Sequence, residues 1–206
     1  MVKIEHIDVY GFEAAIRGMR NPMNSWARSD SSGPDVGEND QILMHQLFKA
    51  GTEHRKYLRM ITITMDVTAP LYWWKEYDTY KIGTVANSCS TMHKIQSKEF
   101  TDDDFSHEHL DPVTKQFLEA VINSLNVNRD KFNVTKDKQY WWNMIQLLPS
   151  SYNQRRTVMF NYEVALTMIR QRSDHKLDEW REFVEQLKRL PYMNLFEGPR
   201  SPSPDT

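Results

Sequence analysis

Few residue groups in this chain have types and spacing suited to chemistry. Cys89 stands between Ser88 and Ser90, where a thiol could act as a nucleophile. A lone cysteine more often behaves as an inert small apolar residue, and that reading is preferred. His107-Glu108-His109 follows the acidic run Thr101–Asp104. Histidines two apart do not share a helix face, and no third ligand is evident, so this reads as an acidic helix start and not as a metal site. Trp73-Trp74 and Trp141-Trp142 could stack on a flat ligand, but neighbours on a helix point to different faces. At least one of each pair is therefore expected in the core. Arg155-Arg156 is either an anion clamp or a solvated face, and both readings stay open. A less ordinary arrangement involves His54, ahead of a strand, and the polar segment Thr79–His93 (TYKIGTVANSCSTMH), which holds Lys81, Asn87, Ser88 and Ser90. A small polar loop after a well-specified strand and helix makes a binding edge. Farther on, Asn161 and Arg172 are separated by about three helical turns and share a face. The blander alternative is a surface loop and an ordinary helix.

Those residues need elements to position them. Arg59–Val67 is the clearest strand: Ile61, Ile63, Met65 and Val67 share one face, and Thr62, Thr64 and Asp66 the other. Val2–Tyr10 also has strand character. Phe12–Met19 has helical composition and stops before Asn21-Pro22. Residues 29–40 are turn formers and predict a surface loop, with Asp40 capping a helix over Gln41–Ala50. In that helix Ile42, Leu43, Leu47 and Phe48 should face inward, with Gly51 as the stop. Ala69-Pro70 opens a helix near residues 70–81, because proline's missing N–H has no helical partner in a first turn. Asp111-Pro112 opens another, with the stripe Val113, Phe117, Leu118, Val121, Ile122 and Leu125. Gln139–Leu148 and Asn161–Arg172 read as helices, and the last helix runs from an Asp174 cap to Pro191. The tail, residues 196–206, is expected to be disordered. The pattern is α+β in one domain over residues 1–195, helices dominant, without βαβ alternation.

Composition removes several function classes. The chain has 206 residues, 26 Lys+Arg against 28 Asp+Glu, and a net charge of −2. Near-balance argues against a general nucleic-acid binder, which usually carries a basic excess. Only seven glycines are present, and no GxGxxG or Walker pattern, which excludes the Gly-rich phosphate cradles. A single cysteine excludes an internal disulfide framework and a cysteine zinc site. No apolar run approaches the ~18 residues of a membrane span, and Met1–Tyr10 has no signal-peptide stretch, so no membrane association and a cytoplasmic location are expected. Aromatics make up 12% of the chain and can supply a core despite an apolar fraction of 39%.

Taken together, the segments resemble the flavin-dependent thymidylate synthase (ThyX) family. In that family a strand ends in V-x-A-P, a helix follows, and then comes R-H-R-x-x-S-x-N-E-x-S-x-R-Y. Here Val67-Thr68-Ala69-Pro70 leads through a helix to Thr79–His93. With one inserted residue near Ala86, Lys81 falls on the third position of the triplet, Asn87 on the motif Asn and Ser90 on the later Ser. His54 fits the family's upstream histidine, and Ala15–Arg20 resembles its A-V-R-A-A-R helix. Toward the C-terminus, Leu148-Pro149 leads to Asn161, Arg172 and Glu179-Trp180-Arg181, matching the family's L-P, Asn, Arg and E-I-R landmarks with one residue deleted before the last. The match covers roughly residues 12–190.

The resemblance implies a helix-rich fold around a small, mainly antiparallel sheet. It also implies reductive one-carbon transfer to dUMP or a related pyrimidine deoxynucleotide. FAD would carry reducing equivalents from NADPH, and methylenetetrahydrofolate would supply the carbon. The family is homotetrameric and binds FAD between subunits, so a homotetramer is expected. No enzyme nucleophile is needed, because the cofactor carries the hard chemistry; no residue is assigned a catalytic role and no metal is expected. By position, His54, Tyr80, Lys81, Asn87 and Asn161 would lie near the flavin, and Glu76, Ser88, Ser90 and Arg172 near the nucleotide.

The chain also departs from the family's pattern. The triplet is Thr79-Tyr80-Lys81, the motif Glu is Ser88, and the final R-Y is Met92-His93. Glu163 stands for an Arg, Glu76 for a Gln, and Pro22 for a Ser. Neither Thr nor Met makes a bidentate contact to phosphate. Losing two charged hydrogen bonds would weaken dUMP binding on the order of 10²-fold unless Lys75, Lys81, Arg155 or Arg156 replaces them. Glu76 and Glu163 would repel a nearby phosphate. Three readings follow: a divergent flavoenzyme, a catalytically degenerate nucleotide- or partner-binding protein on the same scaffold, and a structural oligomer.

Overall fold

Four strands among the described residues form one sheet in the order β1-β2-β4-β3: β1 (Lys3–Tyr10), β2 (Thr62–Pro70), β3 (Thr84–Ser88) and β4 (Asn153–Asn161). The computed structural model describes residues 2–196, so the expected tail lies, from residue 197 on, outside the described residues. In β2 the inward residues Ile63, Met65, Val67 and Ala69 are at most 1% exposed, and the opposite residues are half-buried. The strand starts after the expected Arg59, because Lys56–Met60 winds into a tight helical turn. β4 was not expected. Its arginines hide an alternation in which Gln154, Val158 and Phe160 are buried while Arg155 and Thr157 are exposed. Leu71 N–H donates to the Tyr152 carbonyl, and Tyr162 N–H to that of Ile61, so β2 and β4 run antiparallel. The architecture is the expected helix-rich α+β with a small antiparallel sheet.

The helices are α1 (Phe12–Arg20), α2 (Glu38–Lys49), α3 (Leu71–Tyr77), α4 (Thr91–Lys94), α5 (Pro112–Thr135), α6 (Lys138–Leu147), α7 (Tyr162–Arg172) and α8 (Asp178–Lys188). The chain packs as two compact units. One comprises the residues up to Glu5 with Asp66–Thr79 and Ala86–Thr157. Its core is Ile95, Phe100, Phe105, Leu118, Ile122, Leu125 and Met144. Trp73 and Trp74 are both fully buried, more than the pairwise expectation required, and pack with Tyr77 at ring distances of 4.9–5.4 Å. Trp141 is half-buried, and Trp142 is exposed. Asp111 caps α5 as expected, accepting from Val113 N–H and Thr114 N–H. Of the predicted stripe, Leu118, Ile122 and Leu125 are buried; Val113 and Phe117 are exposed, because burial of this helix begins at Leu118. The 107–109 segment is a turn ahead of that cap and starts no helix. No group of three metal-ligating side chains occurs among the described residues, nor any helix long and apolar enough to cross a membrane.

The other unit comprises His6–Met65, Tyr80–Val85 and the chain from Val158. Its core draws on Phe12, Ile16, Met44, Leu58, Ile63, Phe160, Met168, Trp180, Phe183 and Leu187. Phe196 is buried against Phe48 and Tyr162. Burial pushes the Tyr57 and Tyr162 phenols well above their ordinary value, so both stay neutral and donate to the carbonyls of Met44 and Pro191. Gly11 has φ 98°, and a Cβ there would run into the Met60 carbonyl, which explains the glycine between β1 and α1.

Asp40 does not cap a helix. The first turn of α2 begins at Glu38, and the Asp30 carboxylate, from the preceding loop, accepts the N–H groups of Asn39 and Asp40. Asp40 is instead fully buried, 2.6 Å from Arg20, and accepts from the hydroxyls of Ser29 and Ser31. Met44 therefore faces the core, and Ile42 is exposed. α2 thus starts earlier than expected, whereas the last helix starts later than the expected Asp174 cap, at Asp178.

Candidate functional site

Asn161 ends β4 and starts α7. Its side-chain oxygen accepts the Val164 N–H at 3.0 Å, an N-cap that satisfies one orphan donor of the first turn. Its amide nitrogen lies beside Gly83. A Cβ at Gly83 would stand 2.7 Å from that nitrogen, and Gly83 has φ +74°, so only glycine permits this approach. Three residues earlier in the same turn, Tyr80 reaches the far end of α7. Its hydroxyl accepts from Arg172 Nε at 3.0 Å and donates to Gln171 Oε1 at 2.9 Å. The Arg172 guanidinium lies 5.0 Å from the Trp180 ring centroid and 5.7 Å from that of Tyr80. Trp180 is fully buried in α8. The turn thus touches both ends of α7, at Asn161 through Gly83 and at Arg172 through Tyr80. Lys81, in the same turn, is exposed.

His54 lies in the exposed turn after α2, 3.7 Å from the Glu53 carboxylate. Beside it, Arg55 pairs with Glu163 at 2.9 Å and lies 5.1 Å from the Phe48 ring. These two side chains are only 16% and 21% exposed. Glu163, which alone would repel an anion, is thereby neutralised within the unit.

The remaining sequence-derived residues belong to the first-described unit. Glu76 is half-buried in α3, and its carbonyl accepts from Thr79 N–H and Oγ1. Asn87 and Ser88 are exposed on β3, a strand that the polar composition of Thr79–His93 concealed. Ser90 caps the short α4, accepting from His93 N–H at 3.0 Å. Cys89 is exposed, and its backbone N–H donates to the Arg155 carbonyl. Arg155 and Arg156 point to opposite faces of β4, which decides against a joint anion clamp. Arg155 pairs with Asp66 at 2.6 Å, and that hydrogen bond raises its pKa further. Arg156 pairs with Asp78 at 2.8 Å and lies 4.2 Å over Trp74.

Among the sequence-derived residues, the structure thus joins Tyr80 directly to Arg172. Gln171, Trp180 and Arg55 were not singled out as site residues. Trp180 was legible only as a core residue of the last helix, and nothing local marks Arg55 or Gln171.

The chain matches no protein-family model and, in sequence, no curated protein. Its structure does match solved ones. A crystal structure of the flavin-dependent thymidylate synthase ThyX from Helicobacter pylori, complexed with FAD and dUMP, superposes with a TM-score of 0.71 at 16% identity, covering 95% of this chain and 98% of that one. A second structure of ThyX from Helicobacter pylori, also with FAD and dUMP, gives 0.70 at 16% identity, over 96% and 98%. The chain has the ThyX fold. At this identity the likeness establishes the fold, and function must be argued from the residues. Within the ThyX fold, the landmarks Asn161 and Arg172 lie on one helix that the Tyr80–Gly83 turn contacts at both ends.

Proposed function

We propose that this protein is a divergent flavin-dependent thymidylate-synthase-like enzyme, which binds FAD and transfers a one-carbon unit reductively to dUMP or a related pyrimidine deoxynucleotide. The observation that carries this reading is the ThyX fold over nearly the whole chain, with Tyr80 bonded to Arg172 at the landmark positions. His54, Tyr80, Lys81, Asn87 and Asn161 are assigned to the flavin, and Glu76, Ser88, Ser90 and Arg172 to the nucleotide. The donor set suits such ligands in part. Lys81 and Asn87 are exposed and offer an ammonium and an amide to a phosphate-bearing dinucleotide. The Asn161 side-chain oxygen is already used by the cap of α7, which leaves its amide N–H groups as the donors. FAD, when bound, would supply the redox chemistry. The protein's part is to bind and orient the nucleotide and to exclude water. NADPH and methylenetetrahydrofolate are the co-substrates under this reading, in a cytoplasmic homotetramer.

Purified protein should show a flavin absorbance spectrum, or acquire one with added FAD, and the spectrum should change with dUMP. Colourless protein that ignores FAD overturns this assignment.

A second reading is a catalytically degenerate nucleotide- or partner-binding protein on the same scaffold. The Arg55–Glu163 pair supports it: a position that holds an arginine in the resembling family is here an acid with its own internal counter-ion. Restored growth of a thymidine-requiring strain rules this reading out.

A further inference from the structure

α5 carries two apolar faces, and its own chain covers one of them. Leu118, Ile122 and Leu125 are buried in the core of their unit. On a second face Val113, Ala120, Val127 and Val134 recur every seven residues. Phe117, Ser124 and Lys131 fall between them, at the alternating four- and three-residue steps of a heptad seam. At 3.6 residues per turn the two faces lie about 150° apart. Val113, Phe117, Val127 and Val134 are 52–84% exposed. The seam runs along nearly all 24 residues of α5, about 36 Å.

The order of the side chains points to the occupant. Read from either end, the seam runs valine, a long side chain (Phe117 or Lys131), an aliphatic one (Ala120 or Val127), and then Ser124 in the middle. A two-fold antiparallel pair needs such a near-palindrome, because both copies offer the same surface in opposite directions. Parallel pairing would set Lys131 against Lys131; antiparallel pairing carries it toward the Phe117 end of the other copy. The Lys131 ammonium lies 5.4 Å from the Tyr140 ring centroid, on α6, which draws the charge aside and leaves the methylenes to line the seam. Beside the seam, Thr114, Gln116, Val121, Asn123, Asn128 and Thr135 are uncharged, and Asp130 pairs with Arg129 of its own helix at 2.6 Å. A helix built for a membrane surface carries lysines and arginines there instead.

We propose that α5 docks antiparallel against α5 of a second copy of this chain, along the seam centred on Ser124. This contact needs no flavin or nucleotide, and it stands or falls apart from the function proposed above.

Light scattering on the full chain at micromolar concentration and cysteine cross-linking test it. Phe117→Gln/Val127→Gln removes apolar area at two exposed positions, so circular dichroism should stay the same while the mass falls by half. For cross-linking, Cys89→Ser removes the exposed native thiol, and one cysteine is then placed at Ser124 or at Val113. A short bismaleimide should join Ser124→Cys chains, whose thiols meet near the two-fold axis. Val113→Cys chains should stay unlinked, because an antiparallel pair sets those residues about 20 positions, roughly 30 Å, apart along the helix. Efficient linking at both positions means a parallel pair and overturns the proposal. So does failure of Ser124→Cys chains to link, or an unchanged mass in the glutamine variant. A monomeric chain that sediments with anionic vesicles also overturns it and assigns the seam to a membrane.

Discussion

Arg55 and Glu163 form a 2.9 Å ion pair between the turn after α2 and the first turn of α7, with the Arg55 guanidinium set against Phe48. An acid in the first turn of a helix is favoured by the helix dipole, and the pair adds a fixed cation. Because both side chains are largely buried, removing one leaves the other's charge uncompensated. Arg55→Met should destabilise the protein by roughly 2–4 kcal/mol. The double variant Arg55→Met/Glu163→Gln should recover part of that loss. Urea unfolding of the four proteins gives the coupling energy; additive effects would show that the pair contributes nothing as a pair.

Acid stability should depend on Asp40. Burial opposes its charge, but hydrogen bonds from Ser31 and Ser29 and the Arg20 guanidinium outweigh that, and its pKa is held below the ordinary 3.8. A depressed carboxyl stabilises the fold fully above its unfolded pKa and loses that contribution as pH falls through the folded one. Stability should therefore be flat around neutrality and decline below about pH 4. Asp40→Asn should destabilise at neutral pH by roughly 3 kcal/mol, by leaving Arg20 without its counter-ion, and should flatten the acid limb. Urea midpoints across the acid range decide it. An unaltered acid limb in the variant would assign the pH dependence to other groups.

Gly83→Ala tests the close approach to Asn161. The added methyl meets the Asn161 amide nitrogen, at a φ that alanine adopts only with strain. A loss of about 1–3 kcal/mol is expected, a fall in Tm of about 3–10 °C for a chain of this size. Asn161→Ala should cost about 1 kcal/mol through the lost cap. The double variant should cost less than the sum, because the methyl then has room. Strict additivity in thermal melts would mean that the turn does not press on Asn161.

Arg172→Ala should weaken dUMP binding by at least about tenfold, the scale of a lost charged hydrogen bond, and leave the protein folded. Circular dichroism and a dUMP titration monitored by flavin absorbance separate the two effects. Unchanged dUMP affinity would remove Arg172 from the nucleotide site.

Local pattern accounted for the elements in which one force dominates. The alternation Ile61-Ile63-Met65-Val67 specified β2, since a period of two leaves a buried strand little choice of register. Asp111-Pro112 specified the start of α5, because the cap and the missing N–H act within one turn. The pattern failed where tertiary contacts override it. In β4 the Arg155-Arg156 pair hid an alternation, since each arginine finds its carboxylate on another segment, Asp66 or Asp78. Asp40 looked like a cap because it precedes an apolar run, and became a buried counter-ion because Arg20 reaches it from α1.

The candidate site divides in the same way. Residue types and spacing alone picked out Lys81, Asn87, Ser88, Ser90, Asn161 and Arg172, and the scarcity of glycine together with the lack of a GxGxxG or Walker pattern excluded the Gly-rich phosphate cradles. Which side chains touch was decided only by the fold. Tyr80 and Arg172 are 92 residues apart, and their hydrogen bond exists because the turn before β3 runs along α7. Trp180 follows the pattern of an ordinary core residue, and Arg55 that of an ordinary surface cation; one became the floor under Arg172 and the other the counter-ion of Glu163. Hydrophobic period and capping act over one or two turns and are written in neighbouring residues. The pairing of two polar side chains depends on strand register and helix placement, which no neighbouring residue encodes.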